Sequence, residues 1–406
     1  MSRAAAVYRL TGNTHYSQWV ANQFDYYARH YYDWRSLPRN LGAHLRWEPL
    51  AEAELIPAFV TAIRWLGPAA TSPQRAWWKK GLFDAMMTTI NRHALDIRNI
   101  GLWCRSVAGI VALAFDDDEL WDWALNSEFG FRAQIRHGVT SDYTYTEDSY
   151  NYHNYAAIAG LRLVQEAALH GRIGDIAAEA AILENMFLVY LYARYPNGRV
   201  HYQGITAPWA MTPVPTVSLF VMSYRCLPTT LGLHEAAKRH TIDTLLDPPV
   251  DPPAAVELPK VTTRNFDASR FAVLKSGDWQ VFFHYGQITG ERGQPECLNY
   301  SLAYGMEDLS HDTGAGAHDS PFRTWYNTPL CHNVPILHDG STGLTGPGKV
   351  VEFTSDIPRV VASQPFQKEG IVERSLEIVR GSVIDTPMVS LDTLDEVPIG
   401  LALHVC

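Results

Sequence analysis

The residues best suited to chemistry lie in TSDYTYTEDSYNYHNYAAIAG, residues 140–160, where five tyrosines, one histidine and three carboxylates precede a run of small residues. Tyr152 and Tyr155 stand three positions apart with His153 between them, so at a helix start both rings would face one pocket. Aromatic rings interleaved with polar groups suit sugars, which have apolar faces and hydroxylated rims. The alternative is a polar loop whose rings cover the helix behind it. The candidate substrate contacts in the segment are Tyr150, Tyr155 and Glu147.

A second polar group lies in HALDIRNIGLWCRS, residues 93–106, at the start of a predicted apolar helix. Arg98 and Asn99 would lie near the helix N-terminus, where backbone N–H groups and the helix dipole favour an anion. Trp103 and Arg105 follow within the same helix and are further candidate substrate contacts. Asn99 could instead serve only as the N-cap of that helix.

Composition and charge limit the classes of partner. Of 406 residues, 47% are hydrophobic and 19% are charged, so the chain is long and apolar enough for two packed domains. The 33 Lys and Arg against 43 Asp and Glu give a net charge of −10, which excludes a global field attracting nucleic acid. An acidic oligosaccharide or polysaccharide must therefore be held by a local basic cluster. The five cysteines are scattered without a CxxC pair, which predicts free thiols.

No stretch of the sequence predicts a membrane segment or an export signal. The residues MSRAAAVYRLTGNTHY at the N-terminus lack the apolar run of a signal peptide, and no stretch approaches about 18 uninterrupted apolar residues. Taken as given, the chain is expected to be cytoplasmic and to have no membrane partner. A truncated N-terminus would leave a periplasmic or secreted location open.

The spacing of apolar residues divides the chain into two predicted domains. Helical spacing extends through residues 1–246, and the lack of a fixed-period repeat favours an (α/α) toroid over a solenoid. Five prolines in residues 247–259 predict an extended linker. In residues 260–406, apolar and polar residues alternate in runs rich in β-branched and aromatic side chains, which predicts an antiparallel β-sandwich. This sandwich could be incomplete at the C-terminus. The predicted fold class is therefore α+β, a helical toroid followed by a sandwich.

Several segments together resemble a known family. RNIGLWCRSVAGIVALAF and FGFRAQIRHGVTSDYTYTEDSYNYHNYAAIAG are similar to the toroid of the heparinase II/III-like polysaccharide lyases, and most of all to that of the oligoalginate lyases. In the β half, GQPECLNYSLAYG, SHDTG and WYNTPLCHNVPILHDG resemble that superfamily's metal-binding segments. The likeness keeps the same order over roughly residues 1–390, which makes it more specific than any single motif.

The resemblance implies a lyase that cleaves a 4-linked uronate by β-elimination. This reaction neutralises the C5 carboxylate, removes the C5 proton and protonates the leaving O4, and one tyrosine can do both proton transfers in a syn elimination. By resemblance Tyr152 takes that role and Asn99 bonds the carboxylate. Because a tyrosine has an ordinary pKa of about 10, nearby cations are needed. The candidates are His153, Arg98 and Arg105.

The chain departs from the family pattern at two positions. Arg98 stands where oligoalginate lyases often have a histidine, and an arginine pairs with a carboxylate rather than acting as a base. Gln294 stands in place of the first metal-binding histidine, with Glu296 after it. The resemblance thus implies a weakened structural zinc site, whose candidate ligands are Asp312, His332 and Gln294, with His311 or Cys331 as substitutes. No cofactor is expected to be needed for the chemistry itself.

Three functions are open from the sequence. The first is the lyase, acting on an alginate-like oligosaccharide or a related acidic glycan. The second is a glycoside hydrolase on the same toroid, with an acid and a base drawn from Asp142, Glu147 and Asp148. The third is a non-catalytic protein that binds acidic glycans, motivated by the two departures at Arg98 and Gln294.

Overall fold

A computed structural model describes residues 1–36, 41–93, 95–201, 203–206, 218–316, 320–366, 370–392 and 396–404. The chain divides into two compact units. The first consists of Met1–Gly138, Ala156–Leu183 and Met222–Pro252. The second consists of Val139–Tyr155, Glu184–Val221 and Pro253–Cys406. The segment that contains Tyr152 is thus grouped with the strands, although its own residues begin a helix.

Helices dominate the chain up to residue 246. Their bounds are α1 Ser2–Thr11, α2 Thr14–His30, α3 Pro49–Ala53, α4 Ile56–Leu66, α5 Ser72–Trp78, α6 Asp84–Ile90, α7 Asn99–Ala114, α8 Asp118–Asn126, α9 Phe131–Gly138, α10 Tyr150–Leu169, α11 Ala177–Leu188, α12 Ser218–Ser223, α13 Thr230–Ala237 and α14 Ile242–Leu246. A π-helical turn, Lys79–Phe83, joins α5 to α6. Several helices begin at a side-chain cap, such as Asn13, which accepts from the backbone N–H of His15.

Helix α7 is the central helix of the first unit. Its sequence NIGLWCRSVAGIVALA is apolar on nearly all sides, and almost all of its residues are buried. Gly109 lets α10 approach closely, because a Cβ there would lie 2.7 Å from Leu163 Cδ1. Despite this apolar character, none of the described helices is long and apolar enough to cross a membrane.

The second unit contains three antiparallel sheets. The strands are β1 Arg264–Phe266, β2 Phe271–Ser276, β3 Trp279–His284, β4 Asn299–Tyr304, β5 Glu307–Ser310, β6 Pro335–Leu337, β7 Lys349–Thr354, β8 Arg359–Phe366, β9 Gly370–Val379, β10 Ser382–Leu391 and β11 Ile399–Leu401. The sheet orders are β1-β2-β3-β4-β5, β10-β9-β8-β7 and β11-β6. A short helix, α15 Arg323–Tyr326, lies between β5 and β6 in the chain.

The two larger sheets share one apolar core, which makes this part of the unit a sandwich. Ala272 and Val281 of the first sheet pack in the same buried cluster as Val360 and Leu376 of the second. The strands β2 and β3 are buried on their other face as well. There the Phe282 ring stacks on the His201 ring at 4.4 Å between centroids. This second buried face explains why β2 and β3 read as nearly continuous apolar runs.

Candidate active site

Tyr152 is the third residue of α10, and its side chain is partly exposed. The residue before the helix, Ser149, accepts at its backbone oxygen from the N–H of His153, at 2.9 Å. The Ser149 hydroxyl donates to the backbone oxygen of Ile205 and lies 3.2 Å from the Thr206 hydroxyl. The start of the helix that carries Tyr152 is therefore bonded to Ile205 and Thr206.

The neighbouring carboxylate, Asp148, holds a loop of the β half against this helix start. It accepts from the backbone N–H groups of Ile288, Thr289 and Gly290 at 2.7, 3.2 and 2.9 Å. The Asp148 N–H in turn donates to the Glu291 oxygen at 2.9 Å. Burial raises the pKa of Asp148 to about 6, although these N–H groups oppose the shift. Asp148 is therefore engaged in structure.

Gly204 allows three segments to meet at this point. It has a φ of +61°, and a Cβ there would collide with the backbone oxygen of Asp148 and lie 2.6 Å from the Arg292 oxygen. The next residue, Ile205, donates its N–H to the same Arg292 oxygen at 2.8 Å. A side chain at position 204 would push apart the backbone segments that bring Arg292 to Tyr152.

Arg292 is the functional candidate that the sequence prediction missed. Its guanidinium carbon lies 4.5 Å from the centroid of the Tyr152 ring. The Nε atom lies 3.5 Å from Glu147 Oε2, in an ion pair whose side chains are 32% and 2% exposed. The available clue was position, since Arg292 directly precedes GQPECLNYSLAYG, a segment that resembles the family.

His153 does not supply the positive charge expected of it. Its Nδ1 accepts from the Tyr145 N–H at 3.1 Å and its Nε2 donates to the Met186 oxygen at 2.9 Å. These two bonds require the neutral imidazole. The ring is 0% exposed, and burial lowers its pKa to about 4. His153 is therefore a neutral, structural residue.

Tyr150 and Tyr155 differ in burial. Tyr150 is 3% exposed, and its ring lies edge-on to Tyr190 with the centroids 4.5 Å apart. Burial raises the pKa of Tyr150 to about 12, so it remains a neutral phenol. Tyr155 is partly exposed. Tyr150 therefore belongs to the buried core, and the substrate contact predicted for Tyr155 stays a prediction.

The first unit contains the other predicted catalytic pair, Arg98 and Asn99. Arg98 has an extended backbone at the N-cap position, and Asn99 is the first residue of α7. Asn99 is therefore inside the helix, so the alternative in which it is only the N-cap is wrong. It is buried at 1% exposure, whereas Arg98 is partly exposed and forms an ion pair with Asp96.

Arg105 and Trp103 are both buried in the first unit, at 3% and 5% exposure. Arg105 donates to the Phe129 oxygen at 3.2 Å and to Asn91 Oδ1 at 3.1 Å. Its guanidinium also lies 4.2 Å from the Trp123 ring centroid. Arg105 thus contacts neutral groups of its own unit, and its contact with the substrate stays a prediction.

The three carboxylates named for the hydrolase alternative are each engaged within the second unit. Asp142 accepts from the backbone N–H of Ser269 at 3.1 Å. Glu147 is paired with Arg292, and Asp148 is bonded to the loop at residues 288–290. An acid and base pair for hydrolysis needs two carboxyl groups that face the substrate. The arrangement gives no support to the hydrolase alternative.

A fully buried group of ionisable residues lies farther along the same unit. Ligand atoms of His201, Glu296 and Asp312 all lie within 4.8 Å of one another. His332 Nδ1 is 2.6 Å from Asp312 Oδ2 and 3.8 Å from Glu296 Oε2. Asn299 Nδ2 donates to both carboxylates, at 2.5 Å to Asp312 and 3.2 Å to Glu296.

The donor set of this group fits a divalent metal such as zinc. Burial lowers the pKa of His201 to about 4, which leaves the neutral imidazole that metals require. Burial opposes ionisation of Asp312, but the charge of His332 lowers the Asp312 pKa to about 2, and that carboxylate raises the pKa of His332. Among the described residues, Nε2 of His201 and Nε2 of His332 are buried without a hydrogen-bond partner.

Two of the three predicted metal ligands lie at this group, and the third does not. Asp312 belongs to it and His332 contacts it. Gln294 Nε2 donates instead to the backbone oxygen of Tyr326 at 2.7 Å. His201 was not found from the sequence, because it lies 100 positions before Ser301 in the chain and meets it only through the fold. The zinc itself stays a prediction.

Solved structures match nearly the whole chain. The BT4657 gene product, a heparinase III, has a TM-score of 0.72 at 17% identity, with 98% of this chain and 64% of that chain covered. The heparan sulfate lyase HepC from Pedobacter heparinus has 0.69 at 15%, covering 95% and 60%. A further heparinase III has 0.71 at 13%, covering 99% and 63%. No family model and no curated protein sequence matches the chain.

These similarities concern the fold. The chain spans less than two thirds of the length of the structures that it matches. The predicted fold class, a helical toroid followed by an antiparallel β-sandwich, is confirmed, and the resemblance to heparinase-like lyases holds at that level. The closer likeness to oligoalginate lyases stays a prediction. The chain therefore has the fold of heparinase III.

Proposed function

We propose that this protein is a polysaccharide lyase that cleaves a 4-linked uronic-acid glycan by β-elimination. The observation that carries the proposal is the Tyr152 side chain, partly exposed at the start of α10 with the Arg292 guanidinium 4.5 Å from its ring. A partly exposed phenol beside a fixed cation is suited to take and return a proton. The fold shared with heparinase III supports the same reaction class.

In the proposed reaction Tyr152 serves as both base and acid. As the phenolate it removes the proton from C5 of the uronate, the C4–O4 bond breaks, and a C4–C5 double bond forms. The phenol then returns the proton to the leaving O4, so the residue regains its starting state. Asn99 and Arg98 keep their proposed part, which is to neutralise the C5 carboxylate and stabilise the enolate-like intermediate.

The substrate class is an acidic glycan, and two members of that class merit comparison. The sequence resemblance favours an alginate-like oligosaccharide. The matched structures are a heparinase III and a heparan sulfate lyase, which supports glycosaminoglycans as the second class of substrate to be tested. Both contain 4-linked uronates, so the same elimination applies to either.

We also propose a structural metal, such as zinc, held by His201, Glu296 and Asp312. Burial raises the pKa of the Glu296 carboxyl, so a bound divalent ion there would replace a proton of the cluster rather than do chemistry on the substrate. The fit of the donor set supports this proposal. No step of the elimination uses this site.

The test is a panel of alginate-type and heparan-sulfate-type oligosaccharides with product mass analysis. Elimination gives unsaturated ends that absorb in the near ultraviolet, and Tyr152→Phe should lower the rate at least about a hundredfold. Tyr143→Phe is the matched control, because Tyr143 lies in the same segment and is 39% exposed, and it should keep the wild-type rate. Saturated products would support the hydrolase, and saturable binding without products would support the non-catalytic protein.

A further inference from the structure

We infer that Arg292 is the positioning residue that holds Tyr152 ready to act as a base, by keeping a fixed positive charge against its ring. This inference rests on the proposed function, in which Tyr152 takes and returns the proton. The sequence had pointed to His153, Arg98 and Arg105 for that charge. His153 is neutral, so the charge beside the Tyr152 ring has to come from another residue.

The geometry favours the ionised tyrosine over the neutral one. The guanidinium carbon of Arg292 lies 4.5 Å from the ring centroid of Tyr152. A neutral phenol attracts that cation only through the quadrupole of its ring, whereas a phenolate attracts it through a full opposite charge. The difference between the two attractions stabilises the phenolate. Arginine remains charged throughout the accessible pH range, so the effect does not depend on its own titration.

The neighbouring ionisable groups leave Arg292 as the source of positive charge in this region. It is the only lysine or arginine in residues 144–155, 203–206 and 287–294, the segments that meet here. The carboxylates and the histidine of these segments are Glu147, Asp148, Glu291 and His153. Asp148 is directed at the N–H groups of the 288–290 loop and His153 is neutral. Glu147 lies 3.5 Å from Arg292 Nε and forms an ion pair with it.

The backbone around Arg292 is fixed before any substrate binds. Its carbonyl oxygen accepts from the Ile205 N–H at 2.8 Å, and the preceding Glu291 oxygen accepts from the Asp148 N–H at 2.9 Å. Gly204 allows both contacts. These bonds fix the backbone from which the Arg292 side chain extends, and a charge placed in advance lowers the cost of reorganisation when the proton moves.

The experiment titrates Tyr152 directly, without substrate. Phenolate absorbs in the near ultraviolet, so the wild-type titration minus that of Tyr152→Phe isolates this one tyrosine. The same difference is taken between Arg292→Gln and the double variant Arg292→Gln/Tyr152→Phe. Loss of the cation should raise the pH of half-ionisation by about one pH unit. An unchanged midpoint would overturn the inference.

Two further variants separate charge from structure. Arg292→Lys keeps the positive charge. The pH at which Tyr152 is half ionised should therefore stay closer to the wild-type value in Arg292→Lys than in Arg292→Gln. Equal shifts in the two variants would mean that only the shape of the arginine matters, which contradicts the inference. Arg264→Gln is the matched control, because Arg264 lies over the Tyr192 ring at 5.5 Å in the same unit. It should leave the Tyr152 midpoint unchanged.

The pH dependence of lyase turnover distinguishes this inference from the proposed function. If Arg292 favours the phenolate, Arg292→Gln moves the alkaline rise of kcat upward by about one pH unit and lowers kcat at neutral pH about tenfold. A rise in KM alone, with the titration of Tyr152 unchanged, would make Arg292 a substrate-binding residue. If Arg292→Gln shifts the titration of Tyr152 but the protein cleaves no uronate glycan, the interaction of Arg292 with Tyr152 is supported and the proposed lyase function is refuted.

Discussion

Two clusters of ionisable groups in the second unit contain similar residue types but differ in their access to solvent. At Tyr152, the Arg292 side chain is 32% exposed. At Asp312, the side chains of His332 and Glu296 are 0% exposed. A charge near solvent can exchange protons and meet a substrate, whereas a buried charge must be balanced by its neighbours. We therefore expect substitutions to affect turnover in the first cluster and stability in the second.

The largest effect is expected from Asp312→Asn. This change removes the carboxylate that accepts from His332 at 2.6 Å and leaves a buried imidazolium without its main partner. Breaking a buried ion pair in this way should lower the free energy of unfolding by about 3–5 kcal/mol. Equilibrium unfolding in urea measures this free energy. The free energy of unfolding of Tyr152→Phe should stay within about 0.5 kcal/mol of wild type.

Asp308→Asn is the matched control for that comparison. Asp308 lies in β5 with its side chain 14% exposed, and it pairs at 3.2 Å with Arg199, whose side chain is 52% exposed. The same chemical change there should cost no more than about 1 kcal/mol, because solvent replaces much of the lost interaction. Equal losses for Asp312→Asn and Asp308→Asn would show that burial does not set the strength of the Asp312 cluster.

The fold and parts of the site were predictable because their evidence is local. Apolar spacing predicted the helices and the sandwich, and the segment around Tyr152 was expected to start a helix, as it does in α10. The apolar helix after Arg98 also begins where expected, at Asn99. These features depend on residues close together in the chain, where periodicity and capping chemistry are informative.

Asp148 offers a second, pH-dependent test, since it belongs to the Tyr152 region but is buried like Asp312. Burial raises its pKa from 3.8 to about 6, so the folded protein holds this proton more tightly than the unfolded chain. Its contribution to stability is present below about pH 4 and is lost as the pH rises through 6. The free energy of unfolding should fall by about 3 kcal/mol over that range from this group.

The measurement is the difference in unfolding free energy between wild type and Asp148→Asn across pH 4 to 7. Taking the difference cancels the other carboxylates, because asparagine does not titrate. Wild type should lose stability relative to the variant as the pH rises. A difference that is constant, or that changes in the opposite direction, would contradict the raised pKa of Asp148.

The remaining parts of the site depend on contacts between distant segments, which one sequence does not reveal. Arg292 is 140 positions from Tyr152 in the chain and meets it only because Asp148 binds the loop at residues 288–290. The same reasoning applies to His201, which meets Asp312 from a segment before the linker. Burial also makes His153 a neutral residue, although the sequence had marked it as a source of positive charge.

Metal addition is expected to affect the buried cluster by a smaller amount. If His201, Glu296 and Asp312 hold zinc, free zinc at a hundredfold excess over its Kd should raise the free energy of unfolding by about 2.7 kcal/mol. His201→Ala should abolish this dependence on zinc, whatever its own stability. The titration of Tyr152 should not respond to zinc in either protein. Equal stabilisation of wild type and His201→Ala would place the metal elsewhere.

The smallest effect is expected from Glu147→Gln, which removes the negative charge 3.5 Å from Arg292 Nε. An ion pair with a partly exposed arginine is worth up to about 1 kcal/mol, so turnover should change by no more than about fivefold. Without the negative charge of Glu147, the positive charge of Arg292 is no longer partly neutralised. The pH at which Tyr152 is half ionised should therefore fall slightly. Arg292→Gln is expected to move it the other way. If both substitutions raise the midpoint, Glu147 acts mainly by holding the guanidinium over the ring, and the two residues work as one unit.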